Sequence, residues 1–367
     1  MREKKIDRTF LSIVLILILA GAAMFVSASL GILDRNPDIF YSVLRSQLIF
    51  GFGFGIIGMY FALKIDYKFW RKYSFYIFLG SIILTAAVFI PYLGVVHQGA
   101  ERWIKLGPFS FQPVEVLKFG FIIYFAAWLS WVKNRPNDFK FKILPLFIML
   151  AIIGTILYKQ PDTKSFVLII ITGFAMVFIS GVPWKYILGL IILATMALAI
   201  LIFLKPYLQE RIKTFIDPSQ DPQGSSYQIQ QSFRALGGGG IFGRGYGQSI
   251  QKFSYLPEPQ GDSIFAVIGE ELGFAGAVGT ILLYLLFVMR GLRIANNSPD
   301  LFSRLLVAGI VILITAQSFM HIAAVTGVFP LTGVPLVFVS HGGTSLMIDL
   351  IAIGIVFQIS KFQQKTA

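Results

Sequence analysis

Residues 9 to 31 read TFLSIVLILILAGAAMFVSASLG, a run without a single charged side chain. Crossing a bilayer takes about 20 apolar residues, because a helix satisfies every backbone polar group internally where no water is available. This run is long enough. It is also too long for the apolar core of a cleaved signal, so it reads as a retained membrane anchor. Working outward from it, further apolar runs lie near 43 to 63, 74 to 95, 113 to 132, 144 to 158, 164 to 181, 187 to 206, 264 to 289, 303 to 325 and 343 to 360. The reading is an all-α, polytopic membrane protein with about ten transmembrane helices, forming one unit over residues 1 to 367.

Composition agrees. Hydrophobic residues make up 56% of the chain and charged residues 13%, with a mean hydropathy of +0.75. Soluble domains are roughly half apolar and a quarter charged. The absence of cysteine excludes disulfides, thiolate metal sites and thiol nucleophiles. A net charge of +13 would suggest nucleic acid in a soluble protein. In a membrane protein it marks the cytoplasmic side, and no nucleic-acid partner is called for. With the N-terminus inside, the inner segments collect Arg2, Lys4, Lys5, Arg8, Lys64, Lys68, Arg71, Lys72, Lys133, Arg135, Lys140, Lys142, Lys185, Arg290, Arg293, Arg304, Lys361 and Lys365. The short outer loops hold only Arg35, Arg45, Arg102, Lys105, Lys159 and Lys164. Both termini are therefore expected in the cytoplasm. No inner segment is large enough to fold alone, which leaves no place for an ATP-driven engine. One long outer loop, residues 207–262 between the seventh and eighth helices, is rich in Gly, Pro, Ser and Gln and too polar for lipid. Long unstructured connections of that kind usually carry function.

Ionisable residues at membrane depth are costly, so they face a partner or a polar cavity. Glu115 and Lys118 share one helix face. They form either an ion pair that locks helix packing or part of a charged cavity opening outward. Before them, Arg102-Trp103-Ile104-Lys105 and Phe109-Ser110-Phe111-Gln112 pattern as an amphipathic stretch in the outer interface, aromatics towards lipid and cations towards an anionic headgroup. Asp262 immediately precedes the eighth span. It is either the helix N-cap or a catalytic base at the water–lipid boundary. Glu270 and Glu271 follow about 12 Å deeper, where one of them is expected to meet a cation such as Lys118. Asp349 is a further candidate for a buried partner. Gly237 to Gly240 with Gly243-Arg244-Gly245 lacks the Lys-Ser/Thr of a phosphate-binding P-loop. It reads as a mobile connector from which Arg234 and Arg244 reach lipid phosphates. His97, His321 and His341 lack metal-ligand spacing, so no metal ligand is assigned.

Several of these residues sit in longer motifs. They include Gly99-Ala100-Glu101-Arg102-Trp103-Ile104, Gly107-Pro108-Phe109-Ser110-Phe111-Gln112-Pro113 with Glu115 and Lys118, and Gln160-Pro161-Asp162. Phe215-Ile216-Asp217-Pro218, Gly224-Ser225-Ser226-Tyr227-Gln228 and Tyr255-Leu256-Pro257-Glu258 leading to Asp262 follow. Phe265 to Gly273, Gly333-Val334-Pro335 and Ser340-His341-Gly342-Gly343-Thr344-Ser345 complete the series. In order along nearly the whole chain, they resemble the signature of the SEDS family, the shape, elongation, division and sporulation proteins typified by FtsW, RodA and SpoVE, with wording nearer the FtsW division branch. Val114, Thr163-Lys164-Ser165 and His341 depart from the family pattern, and Lys164 adds an outer cation without an assigned role.

The resemblance implies a ten-helix peptidoglycan glycosyltransferase that polymerises lipid II at the outer face of the bacterial cytoplasmic membrane, for division or cell shape. It implies as partners lipid II and the growing glycan strand, a class B penicillin-binding protein supplying transpeptidase activity, other divisome or elongasome proteins, and membrane lipid. In that reaction a sugar hydroxyl attacks an anomeric carbon whose leaving group is undecaprenyl pyrophosphate. The resemblance makes Asp262 the general base, a contribution of about 10²- to 10⁴-fold. Cations near the lipid surface stabilise the leaving pyrophosphate: Arg102 and Lys118 first, then Lys105, Arg211, Arg234 and Arg244. Glu115 holds Lys118, and Gln112 and Glu258 complete the expected substrate-binding set. A divalent cation, Mg or Mn, stays open as a clamp on the pyrophosphate, although no cage of carboxylates is visible. Two other functions use the same features: a lipid II flippase or transporter, and a non-catalytic scaffold for a transpeptidase. A transporter exposes its site to both faces, whereas the special residues here cluster in the outer half.

Overall fold

The computed structural model describes residues 5–97, 100–107, 109–134, 139–218 and 226–363. Gly99, Pro108, Gly224 and Ser225 of the motifs, and Arg2, Lys4, Arg135 and Lys365 of the charge pattern, lie outside the described residues. The helices are α1 (Arg8–Arg35), α2 (Pro37–Arg45), α3 (Gly55–Lys64), α4 (Tyr67–Lys72), α5 (Ser74–Ala86), α6 (Pro113–Trp131), α7 (Phe139–Lys159) and α8 (Thr163–Ile179). They continue with α9 (Trp184–Leu204), α10 (Pro206–Ile216), α11 (Tyr227–Gly238), α12 (Gln251–Ser254), α13 (Ile264–Asn296), α14 (Leu301–Val325) and α15 (Gly343–Ser360). Each expected apolar run is centred on a helix, although the one over 74 to 95 extends past its end. Among the described residues, eight helices are long and apolar enough to cross a membrane, while Ser74–Phe89 and Thr163–Ile179 are shorter apolar helices. This is a multi-pass membrane protein.

Two expectations need correction. The fold is helical as expected, but the span placed over 74 to 95 stops at Phe89, and β1 (Gly94–His97), β2 (Ala100–Leu106) and β3 (Phe109–Phe111) form a small three-stranded antiparallel sheet. Val95 faces Trp103, Ile104 faces Phe111 and Lys105 faces Ser110. The alternation that suggested an amphipathic surface stretch is the period of a strand, and β-branched and aromatic residues favour the pleated surface. Nor is 207–262 unstructured, since α10, α11 and α12 fall within or across it.

α14 and α15 are the most buried spans and form the centre of the bundle. α14 packs against α6, α8, α13 and α15. α15 packs closely on α3 and the π-helical turn Ser46–Phe54 before it, where Gly51, Gly55 and Gly58 bring the backbone against Leu346, Leu350 and Ile351. Small residues at helix crossings replace the hydrophobic driving force that lipid cannot supply. α9 is the opposite case, the most apolar span and the least buried, as a helix apolar on all sides should be when lipid is its solvent. Both termini meet at one end of the bundle: Asp7 N–H donates to Ser360 Oγ, and Arg290 of α13 holds the Asp7 carboxylate at 2.8 and 3.0 Å.

Candidate active site

Asp262 lies at the other end, where α13 begins. The cap position of α13 belongs to Ser263, and no described residue donates a hydrogen bond to the Asp262 carboxylate or pairs with it. The capping role read from sequence is therefore not the one it plays. Its backbone is nevertheless fixed from several directions. Glu258 adopts a left-handed conformation (φ 44°), and its carbonyl accepts from Gly261 N–H and Ser263 N–H. Ser263 Oγ donates to Pro257 O, Ser340 Oγ to Gly261 O, and His341 N–H to Gln260 O at 2.7 Å. The segment before α13 is thereby sewn to the segment before α15. A half-exposed carboxylate on a rigid backbone, with its own hydrogen-bonding capacity unspent, meets the geometric need of a general base.

Gly333-Val334-Pro335 forms the wall beside it. Its three consecutive carbonyls accept from Lys164 Nζ of α8, from His321 Nδ1 (2.7 Å) and from Gln317 Nε2 (3.4 Å) of α14. A carbonyl can only accept, so His321 Nδ1 carries the proton and Nε2 is left buried without a partner among the described residues. His321 is close enough to Asp262 for the two to interact. Gly333 has φ 64°, and a Cβ there would stand 3.0 Å from Asp262 Oδ2. The positive φ favours glycine, and a side chain there would press on the Asp262 carboxylate.

Arg102 donates through Nε to Gln160 O (2.9 Å) and through Nη2 to Pro161 O, which fixes the turn into α8. Asp162 caps that helix, accepting from Ser165 N–H and Oγ–H. Arg211 projects from α10 near Tyr207, Asp262, Arg102 and Glu210. Burial lowers its pKa from the ordinary value, against the pull of Tyr207 and Asp262. A cavity of about 320 Å³ is lined by Tyr207, Glu210 and Arg211 of α10, Gln228 and Phe233 of α11, and Pro330. Gln228 also reaches Ser263 Oγ at 3.1 Å, linking the cavity wall to the residue after Asp262. A second cavity, about 450 Å³, is mainly apolar and runs between α7, α8, α9 and α10 past Leu157, Phe166, Leu201 and Leu208. Tyr207 lines both, hydrogen-bonded to Thr163. Asp262 itself lines neither.

The remaining sequence candidates fall elsewhere. Glu115 and Lys118 form a 2.8 Å ion pair buried between α6 and α14, with Lys118 also donating to Gln317 Oε1 at 2.8 Å. Asp349 of α15 lies near both. Lys118 touches the Asp262 wall only through Gln317. Lys105 is exposed on β2, and Arg234 is exposed on α11. Gln112 precedes α6, its N–H directed at Thr344 Oγ1 at 3.4 Å, and exposed Glu258 accepts from Gln260 Nε2 at 2.9 Å. Arg244 pairs with Glu270 at 3.4 Å rather than with lipid phosphate alone. The partner expected for Glu271 is not Lys118 but Lys252, 2.7 Å away with both side chains fully buried. The glycine run is not a loose connector: Arg244 and Gly245 N–H donate to the carbonyls of Glu270 and Glu271, and Phe274 N–H returns to Gly240 O. Sequence reasoning passed over His321 and Lys252, one because only metal spacing was sought, the other because it lies in a polar segment. Among the described residues, no three His, Asp or Glu side chains gather into a metal cage. Among the described residues, Arg211 interacts with Asp262 and with Arg102, and Lys164 reaches the Gly333 wall beside Asp262.

The sequence profile of the cell cycle protein family of FtsW, RodA and SpoVE matches residues 7–365. The chain belongs to this family. It is 37% identical over 359 residues to the probable peptidoglycan glycosyltransferase FtsW of Geobacter sp. (strain M18), and 36% identical over 358 residues to stage V sporulation protein E of Bacillus subtilis (strain 168). Each alignment covers 98% of both chains. Among solved structures it resembles a chain from a peptidoglycan synthase complex that coordinates polymerization and crosslinking, at TM-score 0.80 and 27% identity over 97% of both chains. The rod shape determining protein RodA of Thermus thermophilus shares the fold at TM-score 0.67 and 24% identity, over 95% of this chain and 97% of that one. FtsW and SpoVE relatives are almost equally similar, so the division and sporulation branches are not separated by identity.

Proposed function

We infer that this FtsW/RodA/SpoVE-family chain is a peptidoglycan glycosyltransferase that polymerises lipid II at the outer face of the bacterial cytoplasmic membrane. The observation that carries the assignment of the site is Asp262: a carboxylate held on a braced backbone, unspent on internal bonds among the described residues, near Arg211, Lys164 and His321. In this reading Asp262 takes the proton of the acceptor sugar hydroxyl as that oxygen attacks the anomeric carbon of the donor. The bond to the polyprenyl diphosphate breaks, and the developing negative charge falls towards the cations of the α8 and α10 ends, where preorganised charge lowers the barrier. The mixed-polarity cavity under α10 and α11, with Glu210, Arg211 and Gln228 on its wall, suits sugars and diphosphate. The apolar groove between α7 and α9 suits a polyprenyl tail that never leaves the bilayer. The charge pattern supports termini in the cytoplasm and Asp262 outside. Glu115 and Lys118 hold the site from below through Gln317, as positioning residues. A class B penicillin-binding protein is the proposed partner, in keeping with the resemblance to a chain of a synthase complex. A divalent cation would add charge at the diphosphate. Its contribution is tested by polymerising with and without chelator. The experiment for the whole reading is polymerisation of purified lipid II by the chain with its cognate transpeptidase. Glycan strands are expected from wild type, and transport of lipid II without polymer would point to a flippase.

A further inference from the structure

Lys164 belongs to none of the ion pairs among the described residues, yet it stands in the first turn of α8. A cation at a helix N-terminus meets the positive end of the dipole and is unfavourable there. The Asp162 carboxylate at the cap offsets part of that, but it is hydrogen-bonded to Ser165 and makes no ion pair with Lys164. An ammonium has three N–H donors, and Gly333 O is the one acceptor that the described residues give it. Half-buried, the group keeps donors that a ligand can use. Its place is informative: the point where a Gly333 side chain would begin lies 3.7 Å from Lys164 Nζ and 3.0 Å from Asp262 Oδ2. Directly before it, Thr163 lines the apolar groove and is hydrogen-bonded to Tyr207, which lines both cavities. Lys164 lines neither cavity itself, but it stands near Asp262 and directly follows Thr163, beside Tyr207, the residue that the apolar groove and the mixed-polarity cavity share. That junction is where the diphosphate of a polyprenyl-linked sugar must lie if its tail and its sugars occupy the two cavities.

We propose that Lys164 binds the diphosphate of the lipid-linked substrate beside Asp262, rather than serving only as a strut between α8 and Gly333. The proposal rests on the glycosyltransferase reading above. Binding of undecaprenyl diphosphate to the full chain with its cognate transpeptidase in nanodiscs tests it, with undecaprenyl monophosphate alongside and the phosphatidylglycerol content varied. Wild type is compared with Lys164→Gln, Lys164→Met, which keeps the apolar stem, and Lys164→Arg. KM and kcat for lipid II polymerisation are measured on the same preparations. Losing one charge-assisted hydrogen bond should weaken diphosphate binding about tenfold in the Gln and Met variants. KM should rise more than kcat falls, monophosphate binding should change less, and Arg should restore most of the loss. Unchanged diphosphate affinity in folded Lys164→Gln and Lys164→Met, with wild type polymerising, overturns the proposal and leaves the enzyme reading intact. A Lys164-dependent diphosphate site in a wild type that does not polymerise keeps the site and overturns the enzyme reading. Displacement of the diphosphate by phosphatidylglycerol, in wild type but not in Lys164→Gln, would make Lys164 a headgroup anchor and overturn the proposal.

Discussion

Asp262 and Glu271 lie close together along the chain, in opposite chemical conditions. Glu271 is fully buried and saturated: Lys252 Nζ and Ser27 Oγ each reach it at 2.7 Å, and Gly247 N–H at 3.0 Å. Glu270 beside it accepts from Ser249 Oγ and Ile250 N–H. Together they clamp the glycine-rich segment against α1 and a break in α13, where Gly273 turns left-handed (φ 69°) within reach of Gly243 and Ile241. Asp262 has none of these bonds. A carboxylate whose lone pairs are all engaged is a fastener, because protonating or moving it breaks everything it holds. One whose lone pairs are unspent can take a proton from a substrate. A third cluster, Arg290 with Asp7 at the far end of α13, is partly open to solvent and offers a control.

The largest expected effect is at the fastener. Lys252→Met strands Glu271 as an uncompensated buried charge and should cost about 3–5 kcal/mol, read as loss of folded protein in a thermal-shift assay. Removing both charges, as Lys252→Met with Glu271→Leu, should recover most of that stability, since an apolar pair often replaces a buried ion pair without loss. Failure of the double variant to recover would mean that Ser27 and Gly247 depend on the charge itself. At the active site Gly333→Ala should cost only about 1–2 kcal/mol of backbone strain. It should nevertheless lower polymerisation, by less than about tenfold, because the new methyl makes the Asp262 carboxylate give by a few tenths of an ångström. The smallest effect is at Arg290. Burial pushes the Asp7 carboxyl up, but its hydrogen bonds to Arg290 and Phe10 N–H outweigh that and hold it below its ordinary value of 3.8. Its stabilisation is therefore present above that value and lost as pH falls through the folded-state value. Because the pair is partly solvated, Arg290→Gln should lower stability by about 1 kcal/mol or less at neutral pH. The difference from wild type should vanish in acid unfolding scans.

What was legible in the sequence follows the same division. Helices announce themselves by length and hydropathy, because lipid demands internally satisfied backbone, and the spacing of Glu115 and Lys118 put them on one face and left the ion pair as one of two readings. The sheet was missed because Arg102-Trp103-Ile104-Lys105 is too short for its alternation to outweigh an amphipathic reading. Lys252 was illegible because its partner is brought to it only by the glycine run packing on a broken helix, a contact with no local periodicity. His321 and Lys164 gained meaning only when a shared wall, Gly333-Val334-Pro335, placed them beside Asp262. Spacing in sequence says nothing about such convergence across helices.

The most direct test of the account is glycan-strand formation from purified lipid II by the chain with its cognate transpeptidase, comparing wild type with Asp262→Asn and Asp262→Ala at matched folding and partner binding. The account predicts polymer from wild type and a loss of about 10²- to 10⁴-fold in both variants, with thermal midpoints close to wild type because Asp262 holds nothing in place. Polymer at wild-type rates from folded Asp262→Asn and Asp262→Ala would contradict it.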